Sequence, residues 1–197
     1  MLKISYIVNS VFSSRTYFLF DDEKNEFWIV DCGDVQPLLK RLSSISKGQF
    51  KIIGVLLTHV HYDHIYGLPY LTELFPEIRV YTNEAGRTAL ANERINMSRY
   101  HEDPINYNAK NVSICEDGDE IELFEGLKAI VHYTPGHNFS CLTYEIDNFL
   151  FTGDAYIPGK RVVTSLPGGD KMLAADSVEI IKKLAIGKTI CSGHEVC

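Results

Sequence analysis

Residues 52–67 read IIGVLLTHVHYDHIYG: an apolar run that stops at Thr58 and is followed at once by His59, His61, Asp63 and His64. The run over 52–57 has the length and β-branched content of a strand buried on both faces. Four potential metal ligands thus fall within six residues at the carboxyl end of a strand, where open α/β sheets place their chemistry. Packing several imidazoles behind a buried strand would be costly without a cation to share them. The cluster is therefore read as half of a two-metal site.

On the amino-terminal side, Leu2–Val8 and residues 16–19 pattern as strands, and residues 27–31 form a third that ends at Asp31. Gly33 permits a tight turn, and Asp34 is placed to cap a helix over Val35–Ile45. On the other side, residues 65–75 read as one helix stopped by Pro76, Arg79–Thr82 as a strand and residues 83–92 as a helix. Residues 93–108 carry Met97, Tyr100, His101 and Tyr107 without a clean period and are read as a lid or substrate wall. Short strands follow at 112–115, 119–123, Leu127–Tyr133, 141–146 and 148–152, then a helix over 174–184 and a last strand over 188–191. Strands dominate both halves with helices interspersed. That predicts an α/β (α+β) architecture of two facing sheets with helices outside, in one domain over residues 1–197.

Three later loops repeat the arrangement of strand end, glycine and potential ligand: Gly136-His137, Gly153-Asp154 and Gly193-His194. Taken singly, each residue serves equally as a turn residue, and Asp31 serves equally as a cap for its turn. Together with the cluster they supply five histidines and two aspartates, enough for the roughly six to eight ligands of two metals. Imidazole and carboxylate suit divalent zinc best, with iron or manganese as alternatives. A carboxylate such as Asp154 can bridge both ions and leave a shared hydroxide as nucleophile, while the ions polarise a carbonyl. Asp63, Asp154 and Tyr156 are the residues expected to take part in catalysis. Tyr156 is the candidate for hydrogen bonding a developing oxyanion, with a packing role as its alternative. His101 fits the lid, and His132, inside a strand, fits a structural role.

Composition bounds the rest. The 197 residues are 45% hydrophobic and 23% charged, an ordinary globular balance. A formal net charge of −7 argues against a nucleic-acid surface, and no apolar stretch approaches the roughly 20 residues of a membrane span. The amino terminus lacks a signal-peptide core. Five cysteines, Cys32, Cys115, Cys141, Cys191 and Cys197, are irregularly spaced, which points to packing roles and a reducing cytoplasm. The expected partner is a small molecule, with neither nucleic acid nor membrane. Residues 100–107 would serve a homodimer partner as readily as a substrate.

With these motifs in order, Asp31, then residues 58–64, then His137, Asp154 and His194, the sequence resembles the metallo-β-lactamase superfamily over nearly its whole length. The resemblance implies a four-layer αββα sandwich with two metals where the sheets meet. It implies that His59, His61 and His137 hold one ion, that Asp63, His64 and His194 hold the other, and that Asp154 bridges them. Asp31 would order the ligand loops. Thr134-Pro135-Gly136-His137, Phe151-Thr152-Gly153-Asp154, Leu166-Pro167-Gly168-Gly169-Asp170 and Ile95-Asn96-Met97-Ser98 are similar to the glyoxalase II-type thioester hydrolases. Hydrolysis of a small acyl thioester or ester is the implied activity. A mononuclear iron persulfide dioxygenase and a lactonase are the alternatives on the same ligands. The sequence departs from the glyoxalase II pattern at Val162-Val163-Thr164-Ser165, where relatives usually carry Gly-Arg-Thr-Asp, and at Glu195, where they usually carry Gly. It also ends three residues after His194, so no helical glutathione-holding domain is expected.

Overall fold

The computed structural model of the chain describes residues 2–21, 24–108 and 110–195, so Cys197 lies outside the described residues. Side-chain alternation sets the layering. In β2 (Arg15–Asp21), Tyr17 and Leu19 enter one core while Phe18 and Phe20 enter another. In β3 (Glu26–Val30), Trp28 and Val30 oppose Phe27 and Ile29 in the same way. With β1 (Leu2–Val8), β4 (Lys51–Leu56), β5 (Arg79–Thr82) and β6 (Val112–Ile114) they make a six-stranded sheet in sequence order. Its pairing is antiparallel as far as β3 and parallel from β3 to β6.

The second sheet holds β7 (Glu120–Phe124), β8 (Leu127–Tyr133), β9 (Leu142–Ile146), β10 (Phe149–Gly153) and β11 (Thr189–Ser192). Its order is β11-β10-β9-β8-β7, and only β10 and β11 run parallel. Leu19, Trp28, Leu56, Val131, Tyr144 and Phe151 fill the space between the sheets. Two polar crossings fix their separation: Trp28 Nε1 donates to Leu123 O at 2.8 Å and Tyr144 Oη to Leu57 O at 3.0 Å.

Helices cover both outer faces. Leu38 and Leu42 of α1 (Val35–Ile45) and Leu68 and Leu71 of α3 (Leu68–Leu74) pack on Phe18, Phe27 and Ile29 of the first sheet. On the second sheet, Ile181 of α5 (Lys171–Leu184) packs on Cys141 and Leu150. The layers are helix, sheet, sheet, helix, the expected αββα sandwich. No helix among the described residues is long and apolar enough to cross a membrane.

Three local expectations change. The helix expected over 65–75 is two: α2 (Tyr62–Ile65) and α3. Gly67 N turns aside to donate to Cys32 O at 3.0 Å, and Pro69 in the first turn of α3 suits a fresh helix start. The last helix begins at Lys171 rather than 174, because the Asp170 carboxylate caps it through Met172 N and Leu173 N at 2.8 and 3.0 Å. Asp34 stands at the N-cap of α1 without capping it. Its carboxylate instead accepts from Ser10 N at 2.8 Å and Tyr66 Oη at 2.6 Å, tying the β1–β2 loop to the helix layer.

Candidate metal centre

Asp31 organises the ligand loop that leaves β4. It is buried and sits at φ +60°, a left-handed conformation that Asp tolerates better than most residues. Its Oδ1 accepts from Thr58 N at 2.7 Å, and its Oδ2 accepts from Thr58 Oγ1 at 2.7 Å and from His64 Nδ1 at 2.8 Å. Thr58 has thus given its proton to Asp31, so its oxygen accepts from His59 Nδ1 at 3.2 Å. That leaves His59 Nε2 unprotonated, buried and without a partner. A cation is the group that satisfies such a nitrogen.

Two other histidines are held by backbone carbonyls in the same sense. His137 Nδ1 donates to Val163 O at 2.8 Å and His194 Nδ1 to Phe12 O at 3.0 Å, which leaves each Nε2 turned inward. His61 presents the other nitrogen: its Nδ1 lies 2.8 Å from His137 Nε2, while its Nε2 lies 3.2 Å from Asn138 Nδ2. Asn138 is itself fixed, because its Oδ1 accepts from Ser140 N and Oγ at 2.9 and 2.7 Å.

The donors gather in two triads, His59-His61-His137 and Asp63-His64-His194, each with its donor atoms within 4.8 Å of one another. A third grouping, Asp31-His59-His64, reuses the Asp31 oxygens already bonded to Thr58 and His64. Asp154 faces both triads: its Oδ2 is 3.7 Å from His137 Nε2 and 3.3 Å from His194 Nε2, and its Oδ1 is 3.6 Å from His64 Nε2. Oδ1 is also buried without a hydrogen bond. The glycines beside the ligands make room. A Cβ at Gly193 would fall on Asp154 Oδ1 and 2.8 Å from His64 Cε1, and one at Gly153 (φ +49°) would fall on Thr58 Oγ1. The donor set and its two orphaned atoms fit a pair of divalent cations.

Electrostatics agree. Burial, reinforced by the neighbouring imidazoles, holds His59 well below the usual histidine range, and burial carries His61 down to about 3. Both are therefore neutral donors. Burial also pushes His64 and His194 down, but the carboxylates outweigh it. Asp63, Asp31 and Asp154 bring His64 up to about 9, and bonds from Asp154 and Asp63 bring His194 up to about 10. In the metal-free chain, protons thus supply positive charge that a cation would otherwise bring.

A sequence profile of the metallo-β-lactamase superfamily matches residues 11–194. The chain belongs to that superfamily. A hydroxyacylglutathione hydrolase of Xylella fastidiosa is 33% identical over 169 residues, which are 85% of this chain and 54% of the relative. The chain thus spans about half the length of that relative. A probable metallo-hydrolase of Streptococcus pyogenes is 28% identical over 172 residues, 85% of this chain and 72% of the relative. Among solved structures, the B3 metallo-β-lactamase BLEG-1 superposes with a TM-score of 0.82 at 27% identity, covering 98% of this chain and 92% of that one. TTHA1623 in a di-iron-bound form gives 0.79 at 22% identity over 98% and 92%, a likeness of fold.

Around this metallo-β-lactamase-type centre the other predicted residues separate. Phe12, Met97, Tyr100, His101 and Leu166 line a cavity of about 410 Å³ that opens on His61, Asp63, His137, Asp154 and His194. His101 stacks on Tyr62 with ring centroids 3.7 Å apart, and the segment is held from beneath by Asn96, which donates to Ala89 O and Ile105 O and accepts from Ser98 N. Tyr156 is not brought to the imidazoles. The chain has already turned, with Thr152 Oγ1 donating to Tyr156 O at 2.7 Å, and the ring packs by Cys141, Leu150 and Ile181 and lines a different cavity beside α5. His132 pairs with Glu145 at 3.0 Å in the second sheet. The four described cysteines are free and buried, and burial raises the thiols of Cys32 and Cys191. Thr58, Asn138 and the carbonyls of Phe12 and Val163 are site elements that the sequence reading passed over. Asn-x-Ser at 138–140 is the one with a local signal, an Asx turn.

Proposed function

We propose that this chain is a metal-dependent hydrolase of small acyl thioesters or esters. The observation that carries the reading is the convergence of two donor triads on one shared carboxylate, Asp154. His59, His61 and His137 would hold one divalent ion and Asp63, His64 and His194 the second, with zinc best suited to five imidazoles and iron or manganese as alternatives. Such a pair of ions acidifies water and polarises a substrate carbonyl. The chain's own groups supply the rest. Asp31 and the carbonyls of Val163 and Phe12 keep the imidazoles aimed. Phe12, Met97, Tyr100 and Leu166 offer the acyl group an apolar wall that excludes water. Overall, a carbon–oxygen bond forms, the acyl carbon–sulfur or carbon–oxygen bond breaks, and the thiol or alcohol leaves with a proton taken from water.

The printed names of the Xylella and Streptococcus relatives support a hydrolase. Glutathione is not assigned, given the half-length match and the departure at Val162-Val163-Thr164-Ser165. A reducing cytoplasm and a small-molecule substrate complete the reading. The test is metal content by elemental analysis on protein purified without chelator, followed by a panel of thioesters, lactones and esters. About two equivalents of metal and turnover of at least one thioester or ester are expected. Metal-loaded protein that cleaves none of them would overturn the reading. About one equivalent of iron, with oxygen consumed in the presence of a persulfide, would replace it with sulfur oxidation.

A pH dependence follows from the raised imidazoles. His64 and His194, brought up to about 9 and about 10, are protonated at neutral pH and must release those protons to bind a cation. Apparent zinc affinity should therefore rise with pH from neutrality towards 9, as read by chelator competition. A flat profile would show that the two nitrogens are not ligands.

A further inference from the structure

A cavity of about 460 Å³ lies beside the centre, between residues 156–164 and one face of α5. Its floor is apolar, from Tyr156, Val162, Ala174 and Val178, and its rim is cationic. Lys160, Arg161 and Lys171 stand on that rim, and among the described residues none of the three has a carboxylate within ion-pair distance. Lys182 is also there, held 2.9 Å from Glu179, the one acidic residue in the lining. In a chain of net charge −7 this is a local reversal of sign. Unpaired cations around a concavity repel one another, and a bound anion removes that repulsion.

The groove also communicates with the metal ligands. A smaller cavity of about 240 Å³ is lined by His137, Asp154 and His194 together with Lys160, Arg161 and Val162. The last three residues line the groove as well, so they form the passage between the two. The aromatic cavity reaches the same ligands and has neither Lys nor Arg in its lining. A substrate spanning both spaces is apolar at one end and anionic at the other.

We propose that the groove is the subsite for the leaving group, a thiol or alcohol whose far end carries a multiply charged anion, phosphate or polycarboxylate. The proposal rests on the hydrolase reading. The acyl fragment occupies the aromatic cavity, because hydrolysis gives that fragment a new carboxylate. Among the cations this charge would retain the product, whereas beside Asp63 and Asp154 it favours release. Arg161 suits bidentate capture of either oxyanion, and the lysines add point charges.

The test compares three thioesters sharing one acyl group on the metal-loaded protein, with N-acetylcysteamine (neutral), mercaptosuccinate (two carboxylates) and 4′-phosphopantetheine (phosphate) as the thiols. Each exposed ion pair contributes a factor of about two to five. KM for at least one charged thioester should therefore lie about tenfold below the neutral one. The double variant Lys160→Glu/Arg161→Glu should raise KM for that substrate about tenfold more than for the neutral one. The two charged thiols tell phosphate from carboxylate. Binding of their S-methyl ethers by calorimetry gives a readout that needs no turnover. An S-methyl ether that binds the wild type and not the variant supports the subsite even if no thioester is cleaved, in which case only the hydrolase reading fails. No binding of either ether at low ionic strength, or equal binding by the variant, overturns the proposal. Lys171→Glu, on the other wall, provides a second variant should the double one fail to fold.

Discussion

Asp154→Asn is expected to lower kcat on a thioester or ester by at least about a hundredfold, ~2.7 kcal/mol at 1.36 kcal/mol per tenfold, and to cut bound metal from about two equivalents to about one. The side chain touches both triads, through Oδ2 to His137 and His194 and through Oδ1 to His64. Burial alone would favour its protonated form, but His64, His194 and His137 outweigh it and keep the carboxyl ionised far below the ordinary range. The amide keeps the shape and loses the charge. It also turns an N–H₂ toward imidazole nitrogens that need a cation. Because the shape is kept, thermal unfolding of the metal-free variant should stay close to the parent. Unchanged kcat with a full metal complement would remove Asp154 from its shared position.

Asp31→Ala should act through stability and affinity. The residue is buried and accepts from Thr58 N, Thr58 Oγ1 and His64 Nδ1. Removing one partner of a buried charged network costs about 3–5 kcal/mol, and losing a group that orients metal ligands weakens affinity about 10–100-fold. Alanine at φ +60° adds strain that aspartate tolerates better. Asp31→Asn retains that tolerance and one acceptor oxygen, so it should fall between the parent and the alanine variant. Urea unfolding of the metal-free proteins and chelator competition for zinc measure the two effects separately. An alanine variant with parental stability and parental affinity would mean that Thr58 and His64 hold their places without it.

The cluster at residues 59–64 was legible because two local signals coincide there, a strand-length apolar run and four metal-ligand side chains immediately after it. His137, Asp154 and His194 were legible for a related reason, since each follows a strand and sits beside a glycine. The sheets followed from alternation in β2 and β3, whose two faces enter different cores. What the chain concealed is tertiary. The groups aiming His137 and His194 are backbone carbonyls of Val163 and Phe12, which every residue type possesses. Tyr156 lies two positions from Asp154, yet its direction depends on a turn closed by Thr152. Asp34 has the residue type and position of a helix cap, but Ser10 and Tyr66 compete for its oxygens. Proximity in sequence predicts direction only where the backbone between is regular.

The bond from His194 to the Phe12 carbonyl joins residues 182 positions apart, and it is reinforced by Arg15 N to Gly193 O at 2.8 Å and Tyr17 Oη to Ser192 O at 2.8 Å. This closure imposes a timetable on the molecule during synthesis. The donors His59, His61 and His137 exist well before His194 leaves the ribosome, so a nascent chain can take up one ion before it can take up two. The second triad waits for the final strand to dock between residues already folded, a contact of very large sequence separation and therefore slow to form. Metal loading thus doubles as a checkpoint on translation: a chain interrupted before residue 194 can bear a cation and still be inert.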